Sequence, residues 1–187
     1  GIGLPDYPLI VEKNSFIRNG VSFRFGGVTM KFANNIISNP NGSGLKLIGE
    51  SEARDLFNNN FIYSNINAIT IQAEPKFKTF SSNTILGNPS NPLIQTGGIN
   101  MVYNNNNFFT YQNQIILRVG PIHSVNAVDN YWGTTSLSSI NEMIYDKNEN
   151  FELGVATITT ILNAKSITAP ISLPITVTKQ IELGRVK

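Results

Sequence analysis

The sequence predicts an all-β fold in which short strands wind into a parallel β-helix of about six coils, closed by a short helix. Three features predict it: a repeated phrase, apolar runs that alternate with period two, and asparagines at regular intervals. The phrase is an asparagine directly before an apolar pair, and it recurs at Asn14, Asn35, Asn60, Asn83, Asn107 and Asn130. The steps between these anchors are 21, 25, 23, 24 and 23 residues. A period in the twenties is typical of a solenoid, whose repeats bury their apolar faces by stacking.

The first strand of each repeat begins at the anchor. The residue two positions later is apolar in every repeat: Phe16, Ile37, Ile62, Ile85, Phe109 and Trp132. Because side chains alternate along a strand, we expect these residues to face the interior. The residue one position after the anchor should then face outward, in a row formed by Ser15, Ile36, Phe61, Thr84, Phe108 and Tyr131. Its aromatic members could stack on sugars, be covered by the C-terminal tail or contact a protein.

A corner follows the first strand of each repeat. It is marked by a second asparagine, at Asn19, Asn39, Asn65, Asn88 and Asn113. A second apolar run comes after each corner and alternates as a half-buried strand does. Asparagine tolerates left-handed backbone conformations, and stacked asparagines bond amide to amide. We therefore interpret the asparagines as structural corner residues rather than as a polar ligand groove.

The end of the chain departs from the repeat. We assign residues 1–135 to the coils and residues 136–163 to a C-terminal cap made of a short helix and a strand. Leu137, Ile140, Met143 and Ile144 recur at helical spacing, which predicts an amphipathic helix near 137–146. Residues 164–187 contain Pro170 and form an extended tail or linker. Packing of this tail along the solenoid is the favoured interpretation, because an apolar segment of this length is poorly suited to water.

The repeat "NNxIxxN…GIxL" and the closing "DNYWGT", followed by the predicted helix and a "YDKNE" turn, resemble the right-handed parallel β-helix repeats of the pectin-lyase-like superfamily. The similarity is greatest to secreted bacterial and archaeal proteins whose last coil ends in Asn-Tyr/Trp-Trp-Gly, and it covers about residues 9–162. It implies a single-stranded, right-handed parallel β-helix and an extracellular or cell-surface location. The superfamily includes polysaccharide lyases, glycoside hydrolases, adhesins and domains without known chemistry, so the activity is left open.

Composition fits one elongated domain with a substantial core. The chain has 187 residues, of which 41% are hydrophobic and 14% are charged, and its net charge is +2. This balance gives no support for nucleic-acid binding, and no apolar stretch reaches the roughly 20 residues that a membrane span needs. The sequence starts "GIGLPDYPLIVEKN", without methionine and inside a coil, so we expect neighbouring domains of a longer chain.

One acidic cluster occurs on the coils. Its members are Glu50, Glu52, Asp55 and Glu74. Neighbouring coils should bring these residues near one turn, where Arg54, Lys76 and Lys78 are interleaved with them. The favoured interpretation is a solvated turn with weak ion pairs, and a Ca²⁺ site is the alternative. The sole histidine, His123, is interpreted as a turn residue rather than as a general base.

A polar row is expected on the second apolar run. Counting 10 to 12 residues past each anchor gives Arg24, Lys46, Thr70, Gln95 and Arg118. These residues should line one outward face, one per coil, about 4.8 Å apart. Cations and hydrogen-bonding groups at that spacing suit an extended acidic polysaccharide, and a solvated face that discourages aggregation is the other interpretation.

The predicted function is a non-catalytic extracellular β-helix module that binds an acidic polysaccharide or acts as a rigid spacer, with no catalytic residues assigned. The alternative is a polysaccharide lyase or glycoside hydrolase. A hydrolase requires two carboxyl groups within about 5–10 Å of each other across a groove, so the placement of the acids distinguishes the two.

Overall fold

The computed structural model describes residues 9–24, 29–48, 55–64, 66–72, 78–87, 92–97, 100–109, 114–121 and 123–171. These ranges contain three sheets and one short helix. Every strand pair within the sheets is parallel. The chain is thus an all-β parallel β-solenoid, which confirms the predicted fold class.

Each sheet collects one strand from successive repeats. The first sheet contains β1 (Leu9–Glu12), β4 (Met30–Ala33), β7 (Asp55–Asn58), β10 (Lys78–Ser81), β13 (Met101–Asn104), β16 (Ser124–Val128) and β18 (Val155–Ile158). The second sheet contains β2 (Ser15–Ile17), β5 (Ile36–Asn39), β8 (Phe61–Ser64), β11 (Thr84–Gly87) and β14 (Asn107–Phe109). The third sheet contains β3 (Val21–Arg24), β6 (Leu45–Ile48), β9 (Ile69–Gln72), β12 (Ile94–Thr96), β15 (Leu117–Val119) and β17 (Ile144–Tyr145).

The number of complete coils is slightly lower than the predicted six. In the described residues, β1 to β15 form coils that supply a strand to all three sheets. The next repeat supplies β16 and β17, but in the second sheet it makes only an isolated bridge, between Tyr131 and Asn107. The solenoid therefore loses its regular cross-section at this repeat.

A ladder of asparagines joins the coils between the first and second sheets. Its members are Asn14, Asn35, Asn60, Asn83, Asn106 and Asn130. The backbone N–H and the side-chain Nδ2 of each of the first five both donate to Oδ1 of the next member, at 2.9 to 3.2 Å. From the second member onward, Nδ2 also donates to a backbone carbonyl of the preceding coil. Buried amides thereby keep their hydrogen bonds.

The fifth anchor is one residue earlier than predicted. Asn106, not Asn107, occupies the ladder, so the side chains of this coil point to the opposite faces. Phe108 is the interior residue, with 2% of its surface exposed. It contacts Trp132 at a ring distance of 4.9 Å. Trp132 is itself buried, as predicted for its inward position.

The residue before each ladder asparagine has a left-handed backbone. Its φ is positive at Lys13, Asn34, Asn59, Ser82, Asn105 and Asp129, between 52° and 59°. Asparagine and aspartate tolerate this conformation better than other residues with a side chain. The asparagine doublets of the sequence thus combine a left-handed corner with a ladder position. Of the second predicted corner set, Asn65, Asn88 and Asn113 lie outside the described residues.

The interior is built from rows of stacked side chains. In the first sheet, the inward row runs from Val11 to Ile158 through Phe32, Phe57, Phe80, Tyr103 and Ala127. The rings of Phe57 and Phe80 stack at 4.6 Å, and those of Phe80 and Tyr103 stack at 4.9 Å. Burial raises the pKa of Tyr103, so its phenol stays protonated inside the core.

The C-terminal part adds a short helix and a last strand. Helix α1 (Leu137–Glu142) lies within the range predicted for it and buries Ile140 in the core. Strand β18 pairs with β16. Asp146 is buried and accepts the backbone N–H of Ala156 in β18 at 2.8 Å and that of Asn148 at 2.9 Å. The role of this segment as a cap stays a prediction.

Candidate binding face on the third sheet

The outward face of the third sheet carries a continuous row of mainly polar residues. Strand register aligns Ser22, Lys46, Thr70, Gln95, Arg118 and Tyr145; we call these residues the outer row. Their neighbours along each strand include Leu45, Leu47 and Val119, which are buried. Alternation between buried and outward side chains therefore holds the row on one face.

The accessible polar groups of the outer row differ in character. Gln95 and Arg118 are exposed and Lys46 is partly exposed. The guanidinium carbon of Arg118 lies 5.5 Å from the centre of the Tyr145 ring, a cation–π distance. Ser22 is also exposed, so the row offers one hydroxyl, two cations, one amide and one aromatic ring.

Thr70 belongs to the outer row but presents little surface. Only 6% of the residue is exposed, and Oγ1 is buried without a hydrogen-bond partner in the described structure. The hydroxyl is therefore covered in this conformation, unlike the amide of Gln95. Its predicted contribution to ligand binding therefore requires a rearrangement that uncovers the hydroxyl.

Arg24 lies beside the outer row rather than in it. Its register partner is Ile48, whereas Ser22 takes the position next to Lys46. The cause is turn length: residues 18–20 separate β2 from β3, but residues 40–44 separate β5 from β6. A fixed count from the anchor consequently selects a residue two positions too far along in the first coil. Counting from the apolar residues of each strand would have found Ser22.

Tyr145 is a second member that the sequence prediction missed. It lies in β17, opposite Arg118, in a segment that was assigned to the predicted helix near 137–146. The helix ends earlier, at Glu142. In β17, Ile144 is buried and Tyr145 is half-exposed. An apolar residue followed by an outward one is the pattern of a strand, but two residues are too few for that pattern to be recognised in the sequence.

The predicted row of exposed aromatics on the second sheet is largely covered. The register places Ser15, Ile36, Phe61, Thr84 and Asn107 in one row, with Tyr131 bridged to Asn107. Phe61 is buried and Phe108 faces the interior. Two of the three interpretations offered for this row, sugar stacking and contact with a protein, therefore lose most of the aromatic surface that they required.

The start of the C-terminal tail packs against this row. Asn107 accepts the backbone N–H of Ser166 at 2.6 Å and donates to the Ser166 carbonyl at 3.1 Å. The hydroxyl of Thr84 donates to the carbonyl of Pro170. Lys165 places its ammonium group 5.0 Å from the centre of the Phe109 ring. In residues 164–171 these contacts favour the packed interpretation of the tail.

The acidic cluster is only partly described. Glu50, Glu52 and Glu74 lie outside the described residues, and Asp55 is described through its backbone in β7. Within the described residues, no three His, Asp or Glu side chains are close enough to hold a metal ion. Lys78, expected on a solvated turn, is instead fully buried. It lies two residues before inward-facing Phe80, directly opposite Asp55 in the strand register.

His123 occupies the turn before β16, where it was expected. Its carbonyl accepts the backbone N–H of Val155 at 3.1 Å, so the residue helps to hold β18 in place. This contact gives it a structural role.

Comparison of the chain with protein-family models, curated proteins and solved structures gives no match. In the part of the chain that the structure describes, no helix has the length and apolar character needed to cross a membrane.

Proposed function

We propose that this chain is a non-catalytic β-helix module of an extracellular or cell-surface protein and that it binds an acidic polysaccharide along the outer row. The observation that carries the proposal is the alignment of Lys46, Gln95 and Arg118 on one face of the third sheet. The location and the relation to the pectin-lyase-like superfamily rest on the sequence resemblance and belong to the proposal.

Regular spacing is the first argument for an extended ligand. Parallel strands repeat every 4.8 Å or so, so successive members of the outer row meet successive groups of a polymer laid across the strands. A small ligand would need a concave site that surrounds it. The outer row lies on a sheet face and suits a linear chain better.

Charge is the second argument. Lys46 and Arg118 supply positive charge, and Gln95 between them can donate hydrogen bonds to hydroxyl or carboxylate oxygens. Arg118 is held against the Tyr145 ring, which limits the side-chain entropy that binding would cost. A glycan that carries carboxylates can form ion pairs with both cations, whereas a neutral glycan can form none.

The proposed binding is weak and depends on salt. Exposed charge contacts contribute up to about 1 kcal/mol each, and they are screened over a Debye length of about 8 Å at physiological ionic strength. We therefore expect affinity for pectate or alginate that falls as salt rises, and no measurable affinity for a neutral glucan.

The test compares the unaltered protein with a Lys46→Ser/Arg118→Ser variant by calorimetry or an immobilised-glycan assay at two ionic strengths. Loss of two contacts predicts roughly tenfold weaker binding of pectate or alginate with an unchanged melting temperature. A Lys31→Ser/Lys147→Ser variant removes the same charge from other surfaces and should bind normally. Equal losses in both variants, or no binding of acidic glycan by the unaltered protein, would reject the proposal. Cleavage of the glycan would reject its non-catalytic part.

A further inference from the structure

Asparagine is a reactive residue in this chain as well as a structural one. The backbone nitrogen of the residue that follows an asparagine can attack Cγ of the side-chain amide and expel ammonia. A bulky following side chain obstructs this attack, and hydrogen bonds that hold the nitrogen or the amide in place oppose it. Of the 26 asparagines in the chain, only Asn19 and Asn41 precede glycine, which has no side chain to obstruct the attack.

The asparagines of the ladder are protected by the fold. From the second member onward, the backbone N–H that follows each ladder residue donates to the backbone carbonyl of the preceding member, at 2.8 to 2.9 Å. The side-chain amides of these members are held between the coils. These ladder residues are also buried. The attacking nitrogen and the amide are therefore both engaged.

The pair Asn19–Gly20 lies in a corner that is held on both sides. Nδ2 of Asn19 donates to a backbone carbonyl two residues earlier, at 3.2 Å. The N–H groups of Arg18 and Val21, which flank the pair, donate to backbone carbonyls of the next coil at 2.7 and 2.8 Å. A Cβ added to Gly20 would lie 2.3 Å from the carbonyl oxygen of Ser43. This close packing leaves the Gly20 nitrogen little freedom to approach the amide of Asn19.

The pair Asn41–Gly42 lies in the longer corner between β5 and β6 and is less constrained. Asn41 is exposed, and its side chain forms no hydrogen bond in the part of the chain that the structure describes. The N–H of Gly42 points to the carbonyl of Asn39 at 3.4 Å, beyond the usual range of about 2.7–3.2 Å for such a bond. The amide and the attacking nitrogen are therefore both available for reaction.

We propose that Asn41 is a site of spontaneous deamidation in the folded protein. The Gly42 nitrogen gives its proton to a base and attacks Cγ of Asn41. The bond between them forms and the Cγ–Nδ2 bond breaks, so that the amide nitrogen takes a proton from water and leaves as ammonia. The cyclic succinimide that remains is then opened by water. Opening at one carbonyl gives aspartate, and opening at the other gives isoaspartate, whose backbone runs through the former side chain.

The isoaspartate product changes the corner that leads into β6, the strand that carries Lys46. Its backbone contains an additional methylene carbon, which displaces Gly42 relative to the next coil. The Gly42 carbonyl accepts the hydroxyl of Ser64 at 2.5 Å, and Ser64 is completely buried. Displacement leaves a buried donor without its acceptor, which is destabilising. The reaction therefore loosens this corner as the protein ages.

The test incubates the unaltered protein in mildly alkaline buffer and follows ammonia release and the acidic form that appears on anion exchange. Peptide mapping should locate aspartate and isoaspartate at residue 41, and the rate should rise with pH because the Gly42 nitrogen must lose its proton. In the folded protein Asn19 should react at least about fivefold more slowly than Asn41, because its amide must first break a hydrogen bond. In denaturant the two pairs should react at similar rates, since only the fold distinguishes them.

Two matched variants assign the reaction. Asn41→Gln should abolish the acidic form, because the longer side chain closes a larger ring far more slowly, whereas Asn19→Gln should leave its formation unchanged. The purified isoaspartate form should melt below the unaltered protein. Asn41→Asp, which adds the same charge on an ordinary backbone, should melt like the unaltered protein.

The proposal is overturned if residue 41 stays unmodified, if Asn19 reacts as fast as Asn41 in the folded protein, or if Asn41→Gln still forms the acidic species. An isoaspartate form that is as stable as Asn41→Asp would overturn the proposed loosening of the corner.

Discussion

Asn60 donates both its backbone N–H and its side-chain amide to the same oxygen, Oδ1 of Asn83, at 2.9 Å each. Both residues are completely buried. A single asparagine therefore satisfies a backbone donor and a side-chain donor of the coil before it, while its own backbone N–H and Nδ2 donate to the ladder asparagine of the coil after it and Nδ2 also donates to a carbonyl of the coil before it. The ladder works as a chain in which each member depends on the next.

Replacing Asn60 or Asn83 with leucine should lower the free energy of unfolding by about 1–3 kcal/mol, because the buried donors of the preceding ladder member lose their acceptor and two buried carbonyl oxygens lose a donor. Denaturant midpoints measure this loss. Asn14→Leu is the control, since it stands at the exposed start of the ladder and accepts from no earlier member in the described structure. If Asn14→Leu costs as much as Asn60→Leu, the ladder is not the source of the stability.

The left-handed corners make a separate prediction. Asn105 has a φ of 55°, which costs a β-branched residue roughly 1–2 kcal/mol. Asn105→Val should therefore destabilise by that amount, whereas Asn105→Gly should be close to neutral because glycine adopts this conformation freely. The measurement is the unfolding midpoint of the pair. Equal stability of the two variants would contradict a backbone origin.

The sequence predicts the fold class more reliably than it predicts the register of individual strands. The period of the anchors and the alternation of the strands are enough to specify a stacked parallel solenoid. The run of four asparagines from Asn104 to Asn107, followed by two phenylalanines, admits two registers, and a slip of one residue exchanges the two faces of a strand. For this reason the sequence prediction assigned Phe109 to the interior and Phe108 to the outward row, the reverse of what the structure shows. Arg24 was wrongly assigned to the outer row because the number of residues in a corner differs between coils. A count from the anchor therefore does not always reach the residue that pairs with Lys46.

The tail prediction concerns Asn107, which forms two hydrogen bonds with Ser166. Asn107→Ala should release the segment around Lys165 more often, and loss of roughly 1.4 kcal/mol corresponds to a tenfold increase in opening. Limited trypsin digestion reads this directly as faster cleavage after Lys165. Asn126→Ala, an exposed asparagine of β16, is the matched control. Unchanged cleavage in Asn107→Ala would show that these bonds do not retain the tail.

The last prediction concerns Lys78, which is fully buried among the inward residues of the first sheet. Lysine is almost never fully buried unless it is paired, and the strand register places Asp55 directly opposite it. We therefore expect the two residues to form a buried ion pair. Such a pairing also gives Asp55 a structural role in place of the Ca²⁺ ligation considered from the sequence.

A double-mutant cycle tests this pair. Asp55→Ala alone should cost about 3–5 kcal/mol, because it leaves a buried ammonium group uncompensated. Adding Lys78→Met, which keeps the length and apolar stem of the side chain, should recover much of that loss because the uncompensated charge is gone. The unfolding free energies of both single variants and of the double variant give the coupling, which should exceed about 1 kcal/mol. Additive effects would mean that Asp55 does not compensate Lys78, and Asp55 would again be available as a ligand for Ca²⁺.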